Sequence, residues 1–220
     1  MSDAVTTRVY LVRHCDVRNP DGVLYGHLDD FPLSDHGVRQ AHVLGRGFAD
    51  SGITRITSSP LERARQTSEI IASYIPGSEI SVDADLVEAE FGRYLQGVKF
   101  NQIPWRRPLW LIHMIWPGIL PNDERVATMA ARVGRVVRRT VVEHPGTGGI
   151  CVSHGDPIQA FWLQAEGRHP YALHRLQCGK GGYLALDYVG DRLTGKAYTP
   201  PPDPGAELPG DGDLSGTSHA

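Results

Sequence analysis

Two short apolar runs in this chain each end in a histidine: Val9-Tyr10-Leu11-Val12 leads into Arg13-His14, and Ile150-Cys151-Val152-Ser153 leads into His154-Gly155. Continuous apolar runs of this length fit strands covered on both faces, so strands are expected over about 8–12 and over Gly149–Ser153. The β-branched stretch Ile53-Thr54-Arg55-Ile56-Thr57-Ser58 runs into a Ser-Pro turn and predicts another strand over 53–58. Ser59, Pro60 and Glu62 then read as N-cap, first helical residue and capping-box glutamate of a helix over 61–74, with Arg63 in its first turn. A further helix starts near Ser34, after a Gly-, Pro-, Asn- and Asp-rich loop from Cys15 to Leu33. Between 122 and 144, Val126, Met129, Ala130, Val133, Val136, Val137 and Val141 recur at three- and four-residue steps, the stripe of a half-buried helix. A helix over 157–165, opened by Asp156-Pro157, and a hairpin of strands 183–189 and 193–198 complete the pattern. This βα rhythm predicts an α/β fold, a three-layer sandwich with a mostly parallel central sheet flanked by helices.

Composition narrows the picture. With 220 residues, 40% hydrophobic, 21% charged and a net charge of −3, the chain suits one compact domain over residues 1–198, and no nucleic-acid partner is expected. From Thr199 on, prolines alternate with Gly and acidic residues, so 199–220 is expected to be a disordered or surface-draped tail. The longest apolar stretch, 109–120, is broken by His113 and Pro117 and falls short of the roughly 20 residues a membrane span needs. The start Met1-Ser2-Asp3 carries no basic segment followed by an apolar one, which gives the expectation of a cytoplasmic protein. Cys15, Cys151 and Cys178 are odd in number and lack metal-like spacing, so neither a disulfide framework nor a zinc site is expected. Arg125, Arg132, Arg135, Arg138 and Arg139 lie opposite the apolar stripe and read as a solvated helix face.

The histidines carry the candidate chemistry. Ligands of an open parallel sheet bind beyond the carboxyl ends of its strands, where His14 and His154 are expected to converge. A phosphoryl dianion suits guanidinium forks and imidazole donors, which Arg13, Arg63 and His154 supply; charge-assisted bonds contribute roughly 1.5–3 kcal/mol each. His14 is then the candidate nucleophile, provided one ring nitrogen is unprotonated and the other is held by an acceptor. A leaving alkoxide needs a proton from a carboxylic acid of raised pKa, and Leu86-Val87-Glu88-Ala89-Glu90-Phe91-Gly92 offers Glu88 or Glu90.

These segments resemble the histidine phosphatase superfamily, in its phosphoglycerate mutase-like branch, over about residues 8–198. Leu11-Val12-Arg13-His14 is similar to its Arg-His-Gly signature, with Cys15 in place of the glycine. Gly26, Pro32-Leu33-Ser34-Asp35-His36-Gly37 and Gln40-Ala41 resemble the stretch that follows. Ser59-Pro60-Leu61-Glu62-Arg63 through Thr67 resembles its Ser-Pro-x-x-Arg-x-x-x-Thr segment, Val152-Ser153-His154-Gly155 its second histidine motif, and Leu86-x-Glu88 its acid-bearing motif. The resemblance implies a phosphoglycerate mutase-like fold and a phosphatase forming a phosphohistidine on His14, with Glu88 rather than Glu90 as proton donor. It implies Arg13, Arg63 and His154 as phosphate ligands, with Asn19 and Gly26 as further substrate-binding positions, a small phosphomonoester as partner, and no metal or organic cofactor. Mutase-type transfer and a non-catalytic phospho-ligand module are the alternatives. Cys15, beside Arg13, suggests a reactive thiolate that peroxide would oxidise, or else a buried inert thiol. The insertion 97–122, with Trp105, Arg106, Arg107, Trp110, His113 and Trp116, reads equally as a lid, a homodimer surface or a core helix.

Overall fold

The computed structural model describes residues 5–90, 95–109, 112, 115–116 and 123–203. Among them, strands β1 (Thr6–Arg13), β2 (Arg55–Ser58), β3 (Glu79–Val82), β4 (Gly149–Ser153), β5 (Tyr183–Val189) and β6 (Arg192–Thr199) form one sheet in the order β3-β2-β4-β1-β5-β6. The pairs β2–β3, β2–β4 and β1–β4 are parallel, while β5 runs antiparallel to β1 and β6 antiparallel to β5. The hairpin therefore closes one edge, as its turn and alternation predict. β3 is absent from the sequence reading: its four residues are all exposed, so no burial period marks them.

Helices α1 (Asp35–Phe48), α2 (Glu62–Ala72), α3 (Ile103–Arg106), α4 (Val126–Glu143) and α5 (Gly155–Ala165) follow the strands. Pleating sends successive side chains to opposite faces. Val9 and Leu11 of β1 join Val133, Val136 and Val137 of α4 and Ile158 of α5 in one core. Val12 joins Ala41, Leu44 and Phe48 of α1 and Ile71 of α2 in the other. β4 divides likewise, with Cys151 in the first core and Ile150 and Val152 in the second. Each fully buried valine contributes on the order of 1.5–3 kcal/mol, so the two cores fix β1 and β4 firmly at the centre of the sheet.

Several boundaries differ from expectation. The strand expected over 53–58 pairs only from Arg55, although Ile53 is buried. Pro60 precedes α2 rather than opening it, and Leu61 occupies the N-cap with no side-chain bond. The basic face of α4 is not simply solvated, because Arg132 is buried, while Arg135 and Arg139 pair with Asp85 and Asp83. In the insertion, Trp105 is 86% exposed and Trp116 49% exposed, so neither serves as core. Trp110, His113 and the tail residues 204–220 lie outside the described residues. No helix among the described residues is long and apolar enough to cross a membrane.

Candidate active site

The carboxyl ends of β2, β4 and β1 lie side by side, and backbone bonds carry the pairing one residue further. His14 N donates to Ser153 O and Ser59 N to Val152 O, both at 2.9 Å. This pins His14, Ser59 and His154 at neighbouring positions, with the two imidazole centroids 5.1 Å apart.

His14 is fully buried, and its Nδ1 lies 2.7 Å from Cys15 O. A carbonyl only accepts, so Nδ1 carries the proton and Nε2 presents a lone pair; Nε2 has no partner. Burial, then the Arg13 and Arg63 charges, hold its pKa well below the usual 6.5. His154 is held low by burial first and then by His14 and the same arginines. Its Nε2 sits 2.7 Å from Ser59 Oγ. Ser59 lies two residues before the Leu61 N-cap, and its hydroxyl meets a buried imidazole rather than the N–H groups of the first helical turn. The Ser59 oxygen also accepts weakly from Leu61 N at 3.4 Å. His154 Nδ1 faces Glu88 Oε2 at 3.9 Å.

Both arginines are anchored with donors to spare. Arg13 Nη1 donates to Cys178 O at 2.6 Å, and its buried Nε has no partner. Arg63, 1% exposed, donates from Nη2 to Gly26 O at 2.8 Å, stacks its Cζ 4.7 Å from the Tyr25 ring centre, and leaves its buried Nε without a partner. Its position follows from α2: Thr67, one turn on, accepts from Cys15 N at 3.1 Å and so locks that helix face beneath the His14 loop. Burying a guanidinium without a carboxylate partner is costly, and the partnerless Nε–H groups of Arg13 and Arg63, beside the His14 lone pair, mark where an anion would repay it.

Glu88 is buried at the same place, and its Oε1 accepts from Ala89 N at 2.9 Å. Burial and then the nearby Asp156 charge raise its pKa, with Arg63 opposing. Glu90, by contrast, has a 61% exposed side chain 3.6 Å from His27 Nδ1. Asn19 and Gly26 line the cavity, but the Asn19 amide both donates to and accepts from the Val23 backbone, and Gly26 offers its carbonyl to Arg63. Cys15 is fully buried and its thiol is pushed up to about 12 by burial, which favours the buried inert thiol over the reactive thiolate. Sequence reasoning missed Lys180, which lines the cavity while its Nζ pairs with Asp16 at 2.8 Å, and also Asp156, Tyr25 and Gln159. No motif marks these residues; only the fold brings them to this edge.

The cavity bounded by Arg13, Glu88, Asp156 and Lys180, with Leu24 and Phe100 as apolar wall, holds about 270 Å³. A larger depression of about 730 Å³ shares Asn19 with it but is lined by neither Arg13 nor Glu88. No cluster of three or more His, Cys, Asp or Glu among the described residues is arranged to hold a metal ion.

The structure thus gathers an imidazole with a free lone pair, two guanidinium groups, a second imidazole and a buried carboxyl at the carboxyl edge of the parallel strands. The chain belongs to the histidine phosphatase superfamily, branch 1, whose family model matches residues 9–199. It is 32% identical over 198 residues to "Uncharacterized protein Rv0525" of Mycobacterium tuberculosis, covering 89% of this chain and 96% of that one. It is 31% identical over 186 residues to "Probable phosphoglycerate mutase GpmB" of Klebsiella pneumoniae, covering 82% and 85%. Among solved structures, the mycobacterial glucosyl-3-phosphoglycerate phosphatase Rv2419c complexed with VO3 has the same fold, with a TM-score of 0.74 at 23% identity over 87% of this chain and 97% of that one.

Proposed function

We propose that this protein hydrolyses small phosphomonoesters through a phosphohistidine on His14. The observation that carries this reading is the lone pair of His14 Nε2, buried without a partner among groups suited to a phosphoryl dianion. Nε2 attacks phosphorus as the ester P–O bond breaks, and Arg13, Arg63 and the His154 N–H hold the equatorial oxygens. Glu88, kept protonated by burial, gives its proton to the departing alkoxide. The resulting carboxylate then takes a proton from water as that water attacks the phosphohistidine, releasing phosphate and restoring both groups. Activity requires neutral His14 and protonated Glu88. It therefore falls at low pH as His14 takes a proton and at high pH as Glu88 loses one.

The phosphatase named among the structural neighbours supports hydrolysis, and the name of the Klebsiella relative supports a mutase. A mutase must hold the substrate's second anionic group and keep the phosphoryl group from water. Among the described residues the cations lining the cavity are Arg13 and Lys180, the latter already paired with Asp16, which favours the hydrolase. The test follows phosphate release from a chromogenic aryl phosphate with chelator present, alongside mass-spectrometric trapping of phosphorylated protein. Turnover and a His14 adduct, both lost in His14→Ala, are expected. Transfer to a second substrate hydroxyl in place of water would favour the mutase. Ligand binding with neither turnover nor adduct across a phosphometabolite panel would leave a binding module.

A further inference from the structure

Resting on that reading, we infer that Arg132 is a positioning residue that sets the reach of the Glu88 acid by gripping the backbone beneath it. Arg132 projects from the charged side of α4, yet it is only 6% exposed. Its Nη1 donates to Asp85 O at 2.8 Å and Val87 O at 2.6 Å, and its Nη2 to Glu88 O at 3.3 Å. Its Nε and Nη2 also fork onto the two oxygens of Glu124 at 2.8 and 2.9 Å. A guanidinium has five N–H donors, and these contacts use all of them.

Other groups hold the same turn. Leu86 O accepts from Ser153 Oγ at 2.7 Å, and Glu88 O, besides facing Arg132, lies 2.8 Å from His27 Nε2. The turn thus hangs between β4, the His27 loop and Arg132. Among the described residues the Glu88 carboxyl accepts a hydrogen bond from the next residue, Ala89, and otherwise faces His154 Nδ1 at the longer distance of 3.9 Å, so its place in the site follows largely from where this backbone is held. Arg135 and Arg139 grip Asp85 and Asp83 of the same turn, but from side chains 57% and 47% exposed, where ion pairs contribute little. Arg132 is the buried member, and Glu124 balances its charge. Its effect on Glu88 is therefore geometric. Lysine keeps the charge but cannot fork to several carbonyls at once.

Leaving-group chemistry separates this role from a merely structural one. An alkyl phosphate must have its leaving oxygen protonated, whereas a stabilised phenolate departs without help, so a misplaced acid harms only the first. Displacing a catalytic group by an ångström costs on the order of 100-fold, and Arg132→Lys should lose about that much kcat on an alkyl phosphate while its turnover of p-nitrophenyl phosphate stays within a few-fold of the parent. Glu124→Gln, which loosens the fork without removing the cation, should show a smaller split in the same direction and carries the test if Arg132→Lys does not fold. Glu88→Gln is the reference: a split there stands for the acid itself, and its absence would sink the acid assignment rather than this inference. If Glu88→Gln splits the two substrates while neither Arg132→Lys nor Glu124→Gln does, the positioning role is overturned.

Discussion

Cys15 follows His14 directly, and charge alone would favour its ionisation, because Arg13 and Arg63 lie near the same histidine. Its surroundings work the other way. The sulfur is fully buried, packed beside Gly181 and beneath α2, and desolvation of a thiolate there outweighs the hydrogen bond from Thr67, with the Asp16 charge adding to it, so the thiol is pushed up to about 12. Cys151 and Cys178 are buried too, pushed up to about 11 and about 12. A small apolar-tolerant side chain thus fits where the family usually has glycine without becoming a second reactive group. Under mild peroxide, the parent and Cys15→Ser should lose activity at the same rate, and thiol-labelling reagents should reach Cys15 only after unfolding. Labelling of Cys15 in the folded enzyme would show that burial does not protect it.

At the scale of elements, α5 does more than cover the sheet: its first residue, Gly155, is the platform on which the Arg13 guanidinium lies. A Cβ there would sit 3.1 Å from Arg13 Cζ and 3.3 Å from both terminal nitrogens. Arg13 has little freedom to retreat, since its Nη1 is tied to Cys178 O. Gly155→Ala should displace the guanidinium and, with Arg13 holding phosphate as proposed, weaken competitive inhibition by inorganic phosphate about tenfold, the equivalent of roughly 1.4 kcal/mol. Its thermal midpoint should change little. Unaltered phosphate inhibition would mean that Arg13 yields freely or does not bind phosphate. The elements themselves were legible where both faces of a strand or one stripe of a helix is buried, as in β1, β4 and α4. Exposed β3 left no such trace, and Ser59 mimicked a cap because a sequence does not show that the helix starts later, after Leu61, or that the serine hydroxyl meets His154. Likewise, Arg132, Arg135 and Arg139 are indistinguishable as residue types. The packing of α4 against the 83–88 turn makes one of them a buried clamp.

Across the whole molecule, two neutral buried histidines and a buried carboxyl tie stability to pH. His14 and His154 have folded pKa values well below 6.5, so the unfolded chain binds more protons there. Their contribution is complete above the unfolded value and is lost as pH falls below about 6.5, at up to about 1.4 kcal/mol per histidine for each pH unit. Glu88 has the opposite sign. Its folded pKa lies above 4.5, so from 4.5 up to that raised value the native state holds the extra proton, which offsets part of the histidine loss as pH falls. Thermal unfolding of the ligand-free protein should therefore show a midpoint that drops on acidification below about pH 6.5, and drops more steeply in Glu88→Gln. Saturating inorganic phosphate should flatten that drop, because a dianion beside both imidazoles raises their pKa values toward the unfolded one and because a ligand that binds only the native state adds stability of its own. A midpoint that stays level from pH 7 to pH 5 without ligand would mean that the histidines are hydrated enough to take protons in the native state. The same result would remove the basis for an unprotonated, attacking His14 at acidic pH.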